Sequence, residues 1–324
     1  MYQGQISKSA KLFCLLTILL SLLFLFNLCS CQKPASIDSD KPKHEDMVVR
    51  AMTFNIPYGG RGNTQTAWSN RRQMIFDLLK NHQLDVVGMQ EVQRPQLDDI
   101  RQALPQYGEI GVARDDGQTK GEYTAILYNK DRFMMYEDEA GNFWLSQTPE
   151  VPGSRSWNTA NIRICTWVRL IEKESGNAFY VFNTHLDNVS QLAREQGILL
   201  IYDHIMARKH NEPVILMADF NASENQTVIK YIKGLAPLGK ENTQPMPNPM
   251  PMVDTFRKLH PDANDIITRH DWTGNRQGDK IDFIFTSGNI KVLDAQILYD
   301  NVNGQYPSDH YPVTAKIGIP VTKK

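Results

Sequence analysis

Six hydrophobic runs in this chain close or open on the same few polar residue types. Asn55 ends "TFNI". Gln90 and Glu91 end "GMQEV". Asn183, His185 and Asp187 stand in "NTHLD". Asp219 and Asn221 stand in "ADFNA", Asp282 in "KIDFIF", and Asp309-His310 open "SDHYPV". Residues of these types are costly to bury unpaired. One such end is a turn, but six of them drawing on Asp, Glu, Asn and His predict convergence on a single site.

That set of groups selects its chemistry. Carboxylates and amides without thiolates suit a hard, oxygen-seeking cation such as Mg²⁺, Mn²⁺ or Ca²⁺ rather than zinc. The histidines are then free for proton transfer and charge stabilisation. A cation with His and Asn donors fits attack of water on a phosphoester, with a His–Asp pair activating the water. No cysteine accompanies these residues and no G-x-S-x-G occurs, so a covalent Ser or Cys route is disfavoured.

The elements that must position these groups follow from periodicity. "MVVRAMTFNI" and "DVVGMQEV" predict buried strands, separated by a helix with Trp68, Met74, Ile75, Leu78 and Leu79 at helical spacing. "RPQLDDIRQAL" predicts a short helix. "GEYTAILYN", "RFMMYED", "NIRICTWVRLI" and "NAFYVFNTHLD" follow as strands, the third alternating like a half-buried one. "SQLAREQGILLIYDHIMARKH" returns to helix and "EPVILMADFNA" to a buried strand. Ser223 is placed to cap a helix in "ENQTVIKYIKGL". Three strands, "KIDFIFTSG", "IKVLDAQILYD" and "YPVTAKIGI", close the chain. The expectation is one α/β domain over residues 47–320, with two mostly antiparallel sheets and helices outside.

In this order the six motifs resemble the endonuclease/exonuclease/phosphatase superfamily across almost the whole domain. The resemblance implies a four-layer α/β sandwich, DNase I-like, and phosphoester hydrolysis with Mg²⁺ or Mn²⁺. It implies metal ligation by Glu91, Asn55 and Asp309. It makes His310 the general base, with Asp282 its orienting carboxylate. His185 then stabilises the phosphoryl oxygens or helps the leaving group, and Asp219 and Asn221 orient water and phosphate. The segment "GNFWLSQTPEVPGSRSWNTANIRICTW" is similar to a branch common among bacterial secreted members. There Arg163 is expected to contact a substrate phosphate and Trp157 to line the pocket. Asp187 stays open between ligand neighbour and loop acid.

The N-terminus is an address. Lys8 and Lys11 precede "LFCLLTILLSLLFLF" and then "NLCSCQ", the three parts of a secretory signal. Leu28-Cys29-Ser30-Cys31 resembles a bacterial lipobox, with Cys31 as the lipidated residue. Residues 1–30 are thus expected to be a lipoprotein signal peptide and residues 31–46 a polar tether. The domain is expected outside the cytoplasm, anchored to a membrane and monomeric. Cys165, alone in the domain, is expected in the core.

Charge narrows the substrate. The formal net charge is −1, and it falls to about −3 once Lys8 and Lys11 leave with the leader. That is no footprint for sequence-blind nucleic-acid binding. A sugar- or glycan-linked phosphate is the preferred substrate, with a nuclease or a sphingomyelinase-like phospholipid hydrolase as alternatives. The rival from another class is a non-catalytic binding lipoprotein. Such a relic would lack the base or the metal acid, whereas Glu91, Asp282 and His310 are all present.

Overall fold

The computed structural model describes residues 46–58 and 66–321. The leader, the tether up to residue 45 and Cys31 lie outside the described residues. β1 (Met47–Asn55), β2 (Val86–Gln90), β3 (Tyr107–Ile110), β4 (Ile126–Asn129), β12 (Lys291–Ile297) and β13 (Val313–Ile319) form one sheet in the order β12-β13-β1-β2-β4-β3. The second sheet runs β10 (Met252–Asp254), β11 (Asp282–Ser287), β9 (Val214–Asp219), β8 (Ala178–His185), β7 (Ile164–Glu172), β5 (Phe133–Met134). β6 (Ala140–Trp144) also pairs with β7.

The central strands are apolar on both faces, as strands covered on both sides must be. In β1, Met47, Val49 and Ala51 point between the sheets, while Met52 and Phe54 point to the helices outside. In β9, Ile215 and Met217 face inward and Val214, Leu216 and Ala218 outward. The outer faces are covered by α1 (Trp68–Asn81) with α2 (Arg94–Ala103) on one side, and by α3 (Gln191–Met206) with α4 (Thr227–Ile232) on the other. The result is the expected four-layer sandwich. Among the described residues no helix is long and apolar enough to cross a membrane.

Each sheet holds one parallel pair, β1–β2 joined through α1 and β8–β9 joined through α3. A parallel pair needs such a crossover, and it brings both carboxyl ends to the same edge. Asn55 therefore lies opposite Gln90, and His185 opposite Asp219. Antiparallel β11 begins at this edge, with Asp282 opposite Asp219, and β13 begins there with Val313 opposite Thr53. One edge of the sandwich thus collects all six polar strand ends.

Several local expectations need correction. Ser223 does not cap α4: the helix begins later, with Gln226 at its N-cap, and the Ser223 carbonyl accepts the Gln226 N–H instead. "RFMMYED" gives only two strand residues before a 3₁₀ turn, Glu137–Glu139. β3, β6 and β10 lack a periodic signal and form because a neighbouring strand edge is there to pair with, while the short α5 (Thr255–Leu259) starts at its N-cap Asp254, whose side chain accepts the Arg257 N–H. Cys165 is fully buried.

Candidate active site

Asp282 and His310 form the centre. The His310 Nδ1–H donates to Asp282 Oδ2 at 2.9 Å, both side chains being buried. His310 Nε2 is then directed toward Asp219 Oδ2, 3.9 Å away. Burial alone would lower the His310 pKa, but the carboxylates of Asp282, Asp219 and Asp309 outweigh it and hold it up at about 10. Asp219 is pushed up to about 7, first by burial and then by the Asp282 charge. Its Oδ1 accepts the Asn221 N–H at 2.8 Å and its Oδ2 accepts from Asn55 Nδ2 at 2.9 Å.

His185 sits on the other side of Asp219. Asn221 Nδ2 donates to the Leu186 carbonyl at 3.0 Å, which fixes the amide orientation because a carbonyl can only accept. The same Nδ2 lies 2.8 Å from His185 Nε2 and donates to it, so the His185 proton resides on Nδ1. Burial first, and then the Arg163 and Arg114 charges, lower the His185 pKa well below its ordinary value. It is a neutral imidazole here, unlike His310.

Asn55, Glu91 and Asp309 provide oxygen donors at the same edge. Asn55 Nδ2 donates to Glu91 Oε1 at 3.1 Å. The opposite face of that amide, Oδ1, is buried with no hydrogen-bond partner. A buried acceptor left bare calls for an explanation such as an ion. Glu91 and Asn221 both have left-handed backbone, φ 59° and 47°, a strain that accumulates at functional sites. The oxygen-only set of Asn55, Glu91 and Asp309 fits Mg²⁺ or Mn²⁺. Ligand-capable atoms of Asp219, Asp282 and His310 also lie within 4.8 Å of one another. Asp282 and His310 are bonded to each other through Oδ2 and Nδ1, however, and although Asp282 Oδ1 is itself bare, that pair is better suited to handling a proton.

The Asp309-His310 turn is held from beneath. Ser308 Oγ donates to the Asn55 carbonyl at 2.6 Å, and Arg71 Nη1 to the Pro307 carbonyl at 2.8 Å. Arg71 is fully buried, also donates to the carbonyls of Thr66 and Pro57, and lies over the Trp272 ring. A fixed cation therefore braces the turn. His270, in contrast, stacks on Tyr311 at 4.0 Å and is lowered by burial to about 4. It does not line the cleft.

The cleft measures ≈ 210 Å³ and every one of its lining residues is polar or charged. Glu91, His185, Asp219, Asn221, Asp309 and His310 line it, as does Arg163. Trp157 does not; it lines a separate groove with Gln196 and Lys240. The loop that carries both residues turns at Trp157 and Asn158, each with left-handed φ, so the indole leaves the cleft before the chain reaches Arg163. Asp187 is a loop organiser. It accepts from Thr159 Oγ1 and from the N–H groups of Ala160, Asn161, Val189 and Ser190.

Sequence reasoning missed Arg114, Glu122, Asn161, Asn188 and Arg269, which also line the cleft. None is in a strand, and no periodicity marks them. Gln90 and Asn183 had been grouped with the site, but they join the two sheets instead. Gln90 Nε2 donates to Asn183 Oδ1 at 2.7 Å, and Asn183 Nδ2 donates to the carbonyls of Met89 and Ala125.

Fold and site together define an α/β sandwich with a wholly polar cleft at one edge. The family model for the Endonuclease/Exonuclease/phosphatase family matches residues 52–310, and the chain belongs to this family of phosphoester hydrolases. The chain is similar to the endonuclease/exonuclease/phosphatase from Bacteroides vulgatus, with 32% identity, TM-score 0.75, and coverage of 85% of this chain and 100% of that one. It is also similar to a mannosyl-6-phosphatase of Bacteroides thetaiotaomicron VPI-5482, with 30% identity, TM-score 0.71, and coverage of 83% and 99%. An uncharacterized protein, L388, of Acanthamoeba polyphaga mimivirus is 27% identical over 165 residues, which is 48% of this chain and 60% of that relative. The match thus spans less than two thirds of that curated relative's length.

Proposed function

We propose that this protein hydrolyses phosphoesters with a divalent cation, Mg²⁺ or Mn²⁺, and with water as the direct nucleophile. The observation that carries the reading is the buried Asp282–His310 hydrogen bond at a polar cleft lined by His310, Glu91 and Asp309, with the buried Asn55, whose Oδ1 is bare, bonded through Nδ2 to Glu91. Glu91, Asn55 and Asp309 would hold the cation. Bound there, it would offset charge on the phosphoryl oxygens and weaken the carboxylate field that holds a proton on His310. His310 Nε2 takes the proton of the attacking water while Nδ1 stays on Asp282, which fixes the ring and steadies the imidazolium. Asp219 and Asn221 orient the water and the phosphate. Neutral His185, protonated on Nδ1, serves the phosphoryl oxygens or the leaving group.

The substrate is a small, hydrophilic phosphoester, such as a sugar- or glycan-linked phosphate. A cleft of ≈ 210 Å³ with no apolar wall supports this over a phospholipid. The slight net negative charge argues against a nucleic acid. Likeness to the mannosyl-6-phosphatase supports the same class. The leader and Cys31 support an extracytoplasmic enzyme tethered to a membrane. The test uses the full-length chain with p-nitrophenyl phosphate and mannose 6-phosphate. EDTA should abolish phosphate release and Mg²⁺ or Mn²⁺ should restore it. Release that survives EDTA contradicts the reading.

A further inference from the structure

Two arginines in the cleft are held with unspent donors. Arg163 is 5% exposed, and its Nε is buried with no hydrogen-bond partner. Its Nη2 reaches Asn188 Oδ1 at 3.2 Å, and the nearest carboxylate, Asp187 Oδ2, is 3.7 Å from Nε. That carboxylate already accepts five hydrogen bonds from its own loops. Arg114 pairs through Nη1 with Glu122, and its Nε too is buried without a hydrogen-bond partner, the Asp115 carboxylate standing 3.8 Å away. Both arginines line the cleft and also a small recess beneath it that Glu91 and His185 share. A buried donor left unpaired costs free energy that a bound acceptor recovers. Arg269, by comparison, is exposed and paired with Asp271 at 2.9 Å.

Resting on the hydrolase reading above, we propose that Arg114 and Arg163 form a clamp for the scissile phosphoryl group that selects phosphomonoesters over phosphodiesters. A monoester carries a charge of about −2 at neutral pH and presents three terminal oxygens. A diester carries one charge and presents two. Planar guanidinium forks match terminal phosphoryl oxygens, and two cations favour the dianion most. No bond is made or broken by the clamp; it binds and orients.

The test takes the full-length chain and its Arg163→Met, Arg163→Lys, Arg114→Met and His310→Ala variants. Binding of inorganic phosphate is measured by calorimetry. The ratio of kcat/KM for p-nitrophenyl phosphate to that for bis(p-nitrophenyl) phosphate is measured alongside. Wild type should prefer the monoester. Arg163→Met should weaken phosphate binding by about 10-fold or more and collapse the ratio by a similar factor. Arg163→Lys, which keeps the charge but not the fork, should lie between. Thermal unfolding checks folding, and if Arg163→Met does not fold, Arg114→Met carries the same expectations. A wild-type preference for the diester, unchanged phosphate binding, or weakened binding with an unmoved ratio would overturn the clamp. His310→Ala should still bind phosphate. If it also retained hydrolysis, the hydrolytic reading would fail while the clamp stood.

Discussion

Asp219 and Asp282 are direct register partners on antiparallel β9 and β11, so two buried carboxylates lie side by side at the edge of the second sheet. Burial first, and then the like charge of Asp282, raise Asp219 to about 7. His310 is the cation that relieves them. Replacing Asp282 by Asn removes its largest support. The His310 pKa in the metal-free protein should then fall from about 10 toward its ordinary value, which a proton NMR titration of the ring would follow. Hydrolysis should fall by about 10²- to 10⁴-fold, since the ring loses its orienting partner.

Asp187 accepts five hydrogen bonds that tie the 159–161 segment to the 189–190 turn. Asp187→Ala would remove the acceptor shared by four part-buried backbone N–H groups and the buried Thr159 hydroxyl, a loss on the order of 3 kcal/mol. Urea denaturation should show the lower midpoint. A midpoint equal to wild type would remove Asp187 from its organising role.

Gly88 faces the amide that joins the sheets: an added Cβ would meet Asn183 Oδ1 at 2.8 Å and its Cγ at 2.9 Å. Asn183 cannot give way without releasing the carbonyls of Met89 and Ala125. Gly88→Ala should therefore cost about 1–3 kcal/mol, as overpacking does. Chemical denaturation would measure it, and a neutral result would show that the seam between the sheets is soft.

Lys280 is completely buried, with Nζ 2.6 Å from Asp254, 2.9 Å from Glu224 and over the Phe283 ring. Arg257 binds Glu224 from the other side. Burial would raise the Glu224 pKa, but Arg257 and Lys280 outweigh it and bring it down to about 2 from 4.5. A depressed folded-state pKa stabilises the fold above the unfolded value, and this stability is lost as pH falls through the folded one. Between about pH 4.5 and pH 2 the wild type should thus lose thermal stability more steeply than Glu224→Gln. Parallel slopes for the two proteins would count against the network.

Much of the site was legible in the chain because buried strands that end in acids and amides are rare without a purpose. Glu91, Asp219, Asp282 and His310 each close or open such a run, and one sandwich edge gathers them. What could not be read was set by partners remote in sequence. Arg114 and Glu122 sit in loops, and their meeting with Arg163 depends on the packing of both sheets. Gln90 and Asn183 have the same residue types as the site, and only their orientation between the sheets distinguishes a seam from a ligand set. The proline-flanked turn at His310 is braced by Arg71, 236 residues away from Pro307, a contact that no local pattern announces.

In the proposed mechanism His310, held by Asp282, activates water for attack on a phosphoester. Steady-state kcat/KM for p-nitrophenyl phosphate at saturating Mg²⁺, compared between wild type and His310→Ala of equal thermal stability, tests it most directly. A loss of about 10²- to 10⁴-fold is expected. A His310→Ala enzyme as fast as wild type would contradict it.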